Sequence, residues 1–141
     1  MWNLIRRATK DDISAINNLG SKLHENFAKT FHIETEIDST LAIVLVSVSA
    51  YGVNGYLYAL DFGDNIDLLS IYVSESDRCK NIGTNLIKYL IKLAENKTIT
   101  LEVSTDNFPA YNMYKKLDFK VVNVRRKYYN NADAYLMKWG G

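Results

Sequence analysis

Ile66-Asp67-Leu68-Leu69-Ser70-Ile71-Tyr72-Val73, a polar loop from Ser74 to Lys80, the run Asn81-Ile82-Gly83-Thr84 and, further on, Ile99-Thr100-Leu101-Glu102-Val103 form the passage that decides the fold. Its two ends are aliphatic runs of strand length. Between them Ile82, Leu86, Leu90, Leu93 and Ala94 recur with the 3.6-residue period of an amphipathic helix. A strand, a helix and a strand at this spacing predict a parallel crossover, because parallel neighbours cannot be joined by a tight turn.

Toward the N-terminus, Leu41–Ala50 is β-branched and apolar and its end alternates Val46, Ser47, Val48, Ser49. Gly55–Phe62 lies between Val53-Asn54-Gly55 and Gly63-Asp64-Asn65, turn signals that predict a hairpin or meander. A short strand near Asn3–Arg6 leads to Thr9, a candidate N-cap with Asp12 three residues on, in the manner of a capping box. Ile13, Ile16, Gly20 and Leu23 then share a helical face. Asn26–Ser39 is mixed in character and has room for one short helix. Toward the C-terminus, the polar turn Ser104–Asn107 precedes Pro109, placed in a first helical turn where its missing N–H costs little. Ala110, Met113 and Leu117 would face the core. Strands near Phe119–Lys127 and Ala134–Trp139 close the chain. The expected fold is one α/β domain over residues 1–141, a mixed central sheet of about seven strands flanked by about four helices.

Composition narrows the chemistry. The 141 residues are 48% hydrophobic and 23% charged, so the chain can bury a core without a disulfide or metal staple. One cysteine forms no internal bridge, and His24 and His32 lack metal-ligand spacing, so no metal site is expected. A net charge of +1 does not announce a nucleic-acid partner. No apolar run approaches the about 20 residues of a membrane span, and no signal-peptide pattern opens the chain. A cytoplasmic location is the expectation, with which the unpaired thiol agrees.

The loop after Val73 carries the clearest chemical signal. Arg78 and Lys80 bring positive charge, Asn81 and Gly83 tolerate unusual backbone, and the helix that follows presents unpaired amides. Such a helix start suits a phosphate or pyrophosphate. An ordinary strand-to-helix connection with surface cations fits the same residues.

Arg78-Cys79-Lys80-Asn81-Ile82-Gly83 resembles the Arg/Gln-x-x-Gly-x-Gly/Ala acetyl-CoA signature of the GCN5-related N-acetyltransferases (GNAT). The resemblance runs through Ile5-Arg6-Arg7-Ala8-Thr9, Leu101-Glu102-Val103, Asn107, Tyr114, Leu117-Asp118-Phe119, Arg125–Tyr129 and Asp133–Met137. That ordered series is similar to the bacterial ribosomal-protein-alanine N-acetyltransferase (RimI) branch. The chain departs from the pattern at Asn81, where the first signature glycine is usual, at Cys79, at Asp118 in Leu-Gly-Phe, and at Ser104 in place of a common arginine.

The resemblance implies acetyl transfer from acetyl-CoA, as co-substrate, to the N-terminal α-amine of a protein, here a ribosomal protein beginning with alanine, within a ternary complex. It assigns Glu102 as base and Tyr114 as acid. Ile71, Tyr72 and Val73 would hold the acetyl-pantetheine end, Asn107 the pantetheine arm, and Arg78, Cys79, Lys80, Asn81, Ile82, Gly83 and Thr84 the pyrophosphate. Tyr128 and Tyr129 would wall the acceptor slot, or pack a hairpin. Because Glu102 lies within a sheet, partial desolvation and a raised pKa are expected of it. An acetyl-cysteine route through Cys79 is disfavoured, since no histidine accompanies it and it sits at the pyrophosphate end. Acetylation of a small amine such as a polyamine or aminoglycoside, and a non-catalytic acetyl-CoA-binding module, are the alternatives. No membrane or direct nucleic-acid partner is expected.

Overall fold

The computed structural model describes residues 3–78, 80–126 and 132–141. Cys79, Tyr128 and Tyr129 lie outside the described residues.

Seven strands build one sheet: β1 (Leu4–Arg7), β2 (Ala42–Ser49), β3 (Gly52–Asp61), β4 (Asn65–Val73), β5 (Thr98–Ser104), β6 (Lys120–Arg125) and β7 (Ala134–Trp139). Their order is β1-β2-β3-β4-β5-β7-β6. The first four form an antiparallel meander, and β4 and β5 are the parallel pair. β7 returns antiparallel between β5 and β6. The parallel crossover expected from Ile66–Val103 is therefore present, and the sheet is mixed.

Five α-helices stand among the described residues: α1 (Ile13–Leu23), α2 (Phe27–Phe31), α3 (Ile33–Glu36), α4 (Ile82–Ala94) and α5 (Phe108–Lys116). The fifth arises because Asn26–Ser39 holds two short helices instead of one. His32 separates them with a left-handed φ of 50°, a conformation that ends a helix and reverses its path.

The helices cover both faces of the sheet. On one face α4 buries Ile82, Leu86, Ile87, Leu90 and Ala94 against Ile66, Leu68, Ile99, Leu101 and Val103, with Tyr114 and Phe119 alongside. On the other, Ile16 and Leu19 of α1, Phe27 and Ile33 pack over Val44, Val46, Tyr56 and Tyr58. Gly20 is required there: a Cβ would fall 2.4 Å from the Phe27 ring. Leu23 does not join this core. It stays 53% exposed at the end of α1 and lines the cleft described below. The helix entry is fixed as expected at Thr9, whose backbone N–H donates to the Asp12 carboxylate at 2.8 Å. Arg6 donates to the same carboxylate at 2.7 and 3.1 Å and ties β1 to the helix start.

Candidate active site: a cleft where two parallel strands part

β4 and β5 pair only at their starts, Asn65 to Thr98, Ile66 to Ile99 and Asp67 to Thr100. Beyond Asp67 the ladder stops, and a cleft of about 790 Å³ opens between Leu68–Val73 and Leu101–Ser104. A bulge contributes to the parting. Tyr58 of β3 opposes Ser70 and Ala59 opposes Leu68, so Leu69 is an extra residue in β4, and an extra residue bends its strand. Just past the bulge, Tyr56 and Ser70 share a buried hydrogen bond of 2.7 Å between their hydroxyls. Burial pushes the Tyr56 phenol up to about 12, so the pair stays neutral. The β5-facing edge of residues 68–73 is left without a strand partner and can receive an extended arm in strand-like fashion.

The first turn of α4 closes one end of the cleft, where Asn81, Ile82, Gly83 and Thr84 line it. Asn81 holds the left-handed conformation at φ 62°, ψ 20° and makes no side-chain cap. Asparagine thus fills the place of the signature glycine, since it tolerates this region better than other side chains. Asp118 does the same at φ 71°. Gly83 is packed closely: a Cβ there would stand 3.4 Å from Met113 Sδ and 3.8 Å from Val73. With the amides of the first turn unpaired within the helix, this end suits an anion. Arg78 adds a cation at the mouth. Its Nε donates to the Val73 carbonyl at 3.3 Å, and its guanidinium lies 5.1 Å from the Tyr72 ring centre.

Of the residues expected from the sequence, Ile71, Tyr72, Val73, Arg78, Asn81, Ile82, Gly83, Thr84, Glu102, Asn107 and Tyr114 line this one cleft. Lys80 does not line it, and its ammonium pairs with Asp77 at 3.3 Å. Asn107 caps α5, its carboxamide oxygen accepting from the Ala110 N–H at 3.3 Å.

Glu102 and Tyr114 are set in opposite environments. Tyr114 is 4% exposed and packs on the Phe119 ring at 5.5 Å. Burial raises its phenol above the ordinary tyrosine range, so it keeps its proton at neutral pH. Glu102 alternates with buried Leu101 as expected, but its desolvation is not found. Its side chain is 38% exposed, and Arg125 Nη1 donates to both oxygens at 3.0 and 3.1 Å. Among the described residues nothing shields Glu102 fully on this face of β5, which leaves it in reach of water.

A polar ladder lies beside this site. Thr98 Oγ1 donates to Asn65 Oδ1 at 2.6 Å, Asn65 Nδ2 donates to Thr100 Oγ1 at 3.0 Å, and Thr100 Oγ1 donates to Asp67 Oδ1 at 3.2 Å. It cross-links β4 and β5 along the segment that pairs before they separate. Alternation of Asn65, Asp67, Thr98 and Thr100 was its only sequence signal.

Residues 10–119 match the Acetyltransferase (GNAT) family. An N-alpha-acetyltransferase of Saccharolobus solfataricus is 34% identical, the alignment covering 94% of this chain and 90% of the relative. Two solved structures share the fold. The ribosomal-protein-S18-alanine N-acetyltransferase of Escherichia coli superposes with a TM-score of 0.86 at 20% identity, covering 97% of this chain and 92% of its own. Arabidopsis thaliana NAA60 in complex with acetyl-CoA gives a TM-score of 0.86 at 16% identity, covering 99% and 100%. With the parted strands, the anion-ready helix start and this match in hand, the chain belongs to the acetyltransferase (GNAT) family.

Proposed function

We propose that this protein moves acetyl from acetyl-CoA to the N-terminal α-amine of a protein. The observation that carries the reading is the cleft itself, which joins an unpaired strand edge, a helix N-terminus and a buried phenol in one continuous space. The donor set fits acetyl-CoA along its length. Unpaired amides of α4 and Arg78 suit its pyrophosphate, and Asn107 and the edge of Ile71–Val73 suit its amide-bearing arm. The relative from Saccharolobus solfataricus, an N-alpha-acetyltransferase by name, supports an α-amine as acceptor. The name of the Escherichia coli neighbour points to a ribosomal protein with N-terminal alanine as the finer choice, and a cytoplasmic setting completes the reading. No helix among the described residues is long and apolar enough to cross a membrane.

The chemistry follows from three needs. An α-amine titrates near 7.7–8.0, so at neutral pH most of it arrives protonated and needs a base. Glu102, water-accessible at the rim of the cleft, serves as that base. A backbone N–H on the free edge of β4 polarises the thioester oxygen, a fixed dipole aimed at developing charge. Tyr114, held neutral by burial, gives its proton to the departing sulfur. Turnover of an alanine-starting peptide against spermidine tests the choice of acceptor. Acetylation of the peptide at the higher kcat/KM is expected, and activity on spermidine alone would overturn it. Tight acetyl-CoA binding without transfer to any amine would instead favour a regulatory module.

A further inference from the structure

Ser70 is the only aliphatic polar side chain on the stretch of cleft wall from Leu68 to Val73. The bulge decides where it points. Ile66 and Leu68 are buried on the α4 side, and unbroken alternation would turn Ser70 to that side as well. The extra residue Leu69 moves it to the other face, opposite Tyr58 and next to the pair Tyr56 and Tyr72. A bulge beside a site commonly re-aims a side chain in this way. Glu102 reaches the same face, since its neighbours Leu101 and Val103 are buried on the α4 side. The hydroxyl and the carboxylate therefore stand on the two strands that part, on the face away from α4, and both line the cleft.

A count of hydrogens shows what Ser70 has left to give. It shares one hydrogen bond of 2.7 Å with Tyr56, and the two hydroxyls own two hydrogens. Tyr56 is fully buried, and among the described residues Ser70 is its phenol's only hydrogen-bond partner. The phenol therefore donates, because the opposite polarity would bury its hydrogen without an acceptor. Ser70 keeps its own hydrogen and one lone pair. It is 7% exposed and makes no other side-chain hydrogen bond among the described residues, so both are free for a group that enters the cleft.

One hydrogen and one lone pair on a single oxygen match a group that carries a donor and an acceptor side by side. The first residue of a protein is such a group. Its amine N–H and its carbonyl oxygen flank one Cα–C bond, about 3 Å apart. A lysine side chain or a polyamine has no carbonyl beside its nitrogen. We propose that Ser70, its hydroxyl oriented by Tyr56, is a specificity-determining residue for α-amines. Its Oγ accepts an N–H from the acceptor amine, and its O–H donates to the carbonyl oxygen of the same first residue. Held at both points, the amine turns another N–H toward Glu102 and its lone pair toward the acetyl carbon. This inference rests on the reading of an α-amine acceptor.

The test uses two isomeric peptides, one beginning with alanine and one with β-alanine, whose extra chain carbon moves the amine away from the carbonyl. Wild type, Ser70→Ala and Tyr56→Phe are compared by kcat/KM on each at saturating acetyl-CoA. Wild type should favour the alanine peptide by at least about 30-fold. Ser70→Ala should lose about 10–100-fold on that peptide and less than about 3-fold on the β-alanine peptide. Its acetyl-CoA Kd, read by calorimetry, should stay within about 2-fold of wild type. Tyr56→Phe keeps the serine but removes the donor that orients it, and should shrink the preference at least about 3-fold. Wild type indifferent to the two peptides, a Ser70→Ala loss equal on both, or a rate on the alanine peptide within about 3-fold of wild type overturns the proposal. An equal loss with weaker acetyl-CoA binding would place the hydroxyl on the acetyl donor instead. Should Ser70→Ala fail to fold, Tyr56→Phe decides alone, and an unchanged preference overturns the proposal. Wild type that acetylates neither peptide removes the acceptor reading on which the inference stands, a result distinct from a Ser70 variant that treats the two peptides alike.

Discussion

Replacing Asn81 by alanine and, separately, by glycine probes the helix start that the cleft depends on. Asn81 holds φ 62° without a side-chain hydrogen bond to offset the conformation. A left-handed residue other than glycine costs about 1–2 kcal/mol, and asparagine escapes part of that. Alanine should therefore lose about 1 kcal/mol relative to wild type. Glycine relieves a similar strain but returns about 0.4–1 kcal/mol of freedom to the unfolded chain, so its net effect should lie near zero. For a domain of this size 1 kcal/mol corresponds to about 3–5 °C in Tm. The cost of alanine has two places to appear. If the turn keeps its shape, Tm falls by that amount and acetyl-CoA affinity is retained. If the turn relaxes when empty, Tm holds and Kd rises about 5-fold, because binding must restore the strained form. Thermal unfolding and calorimetric titration together read both terms, and their sum should come to about 1 kcal/mol. An alanine variant equal to wild type in both Tm and Kd would refute the role assigned to this conformation.

Two further outcomes follow from the same structure. Tyr114→Phe should lower kcat by about 10²–10⁴-fold while leaving the acetyl-CoA Kd within about 2-fold, since the ring still packs on Phe119 and only the proton is lost; steady-state kinetics beside calorimetry check this. Asp12 is held below its ordinary value of 3.8, first by Arg6 and then by the Thr9 backbone, against an opposing desolvation. A depressed carboxylate contributes stability that is complete above its unfolded pKa and fades as pH falls through its folded pKa. Asp12→Asn should therefore cost about 1–3 kcal/mol at neutral pH and flatten the loss of Tm below about pH 4. A variant whose Tm falls with acid as steeply as wild type would assign the acid sensitivity elsewhere.

How far the sequence could be read depended on whether the signal was local. The α4 stripe and the aliphatic runs beside it led directly to the parallel pair, because helix and strand periods are written in consecutive residues. The left-handed turns at Asn81 and Asp118 were legible for the same reason, through residue types that tolerate them. The bulge at Leu69 was not. Strict alternation puts Asp67 and Leu69 on one face, and only pairing with β3 reveals the extra residue. Glu102 stands on the expected strand and face, yet its exposure depends on what the other described elements leave uncovered at β5, which no local pattern records. Its partner Arg125 lies 23 residues away on β6, two strands across the sheet. Lys80 was expected in the pyrophosphate loop with its neighbours, and no local pattern told that its ammonium pairs with Asp77.

The central claim is acetyl transfer to a protein's α-amine, and one measurement reaches it most directly. The purified protein, acetyl-CoA and a peptide bearing both an N-terminal alanine and an internal lysine are incubated, and the product is fragmented in a mass spectrometer to locate the acetyl group. The account predicts a single acetyl on the N-terminal nitrogen, formed by wild type and strongly reduced with Tyr114→Phe. An acetyl group on the lysine side chain alone, or a peptide left unmodified while a polyamine is acetylated, would contradict it.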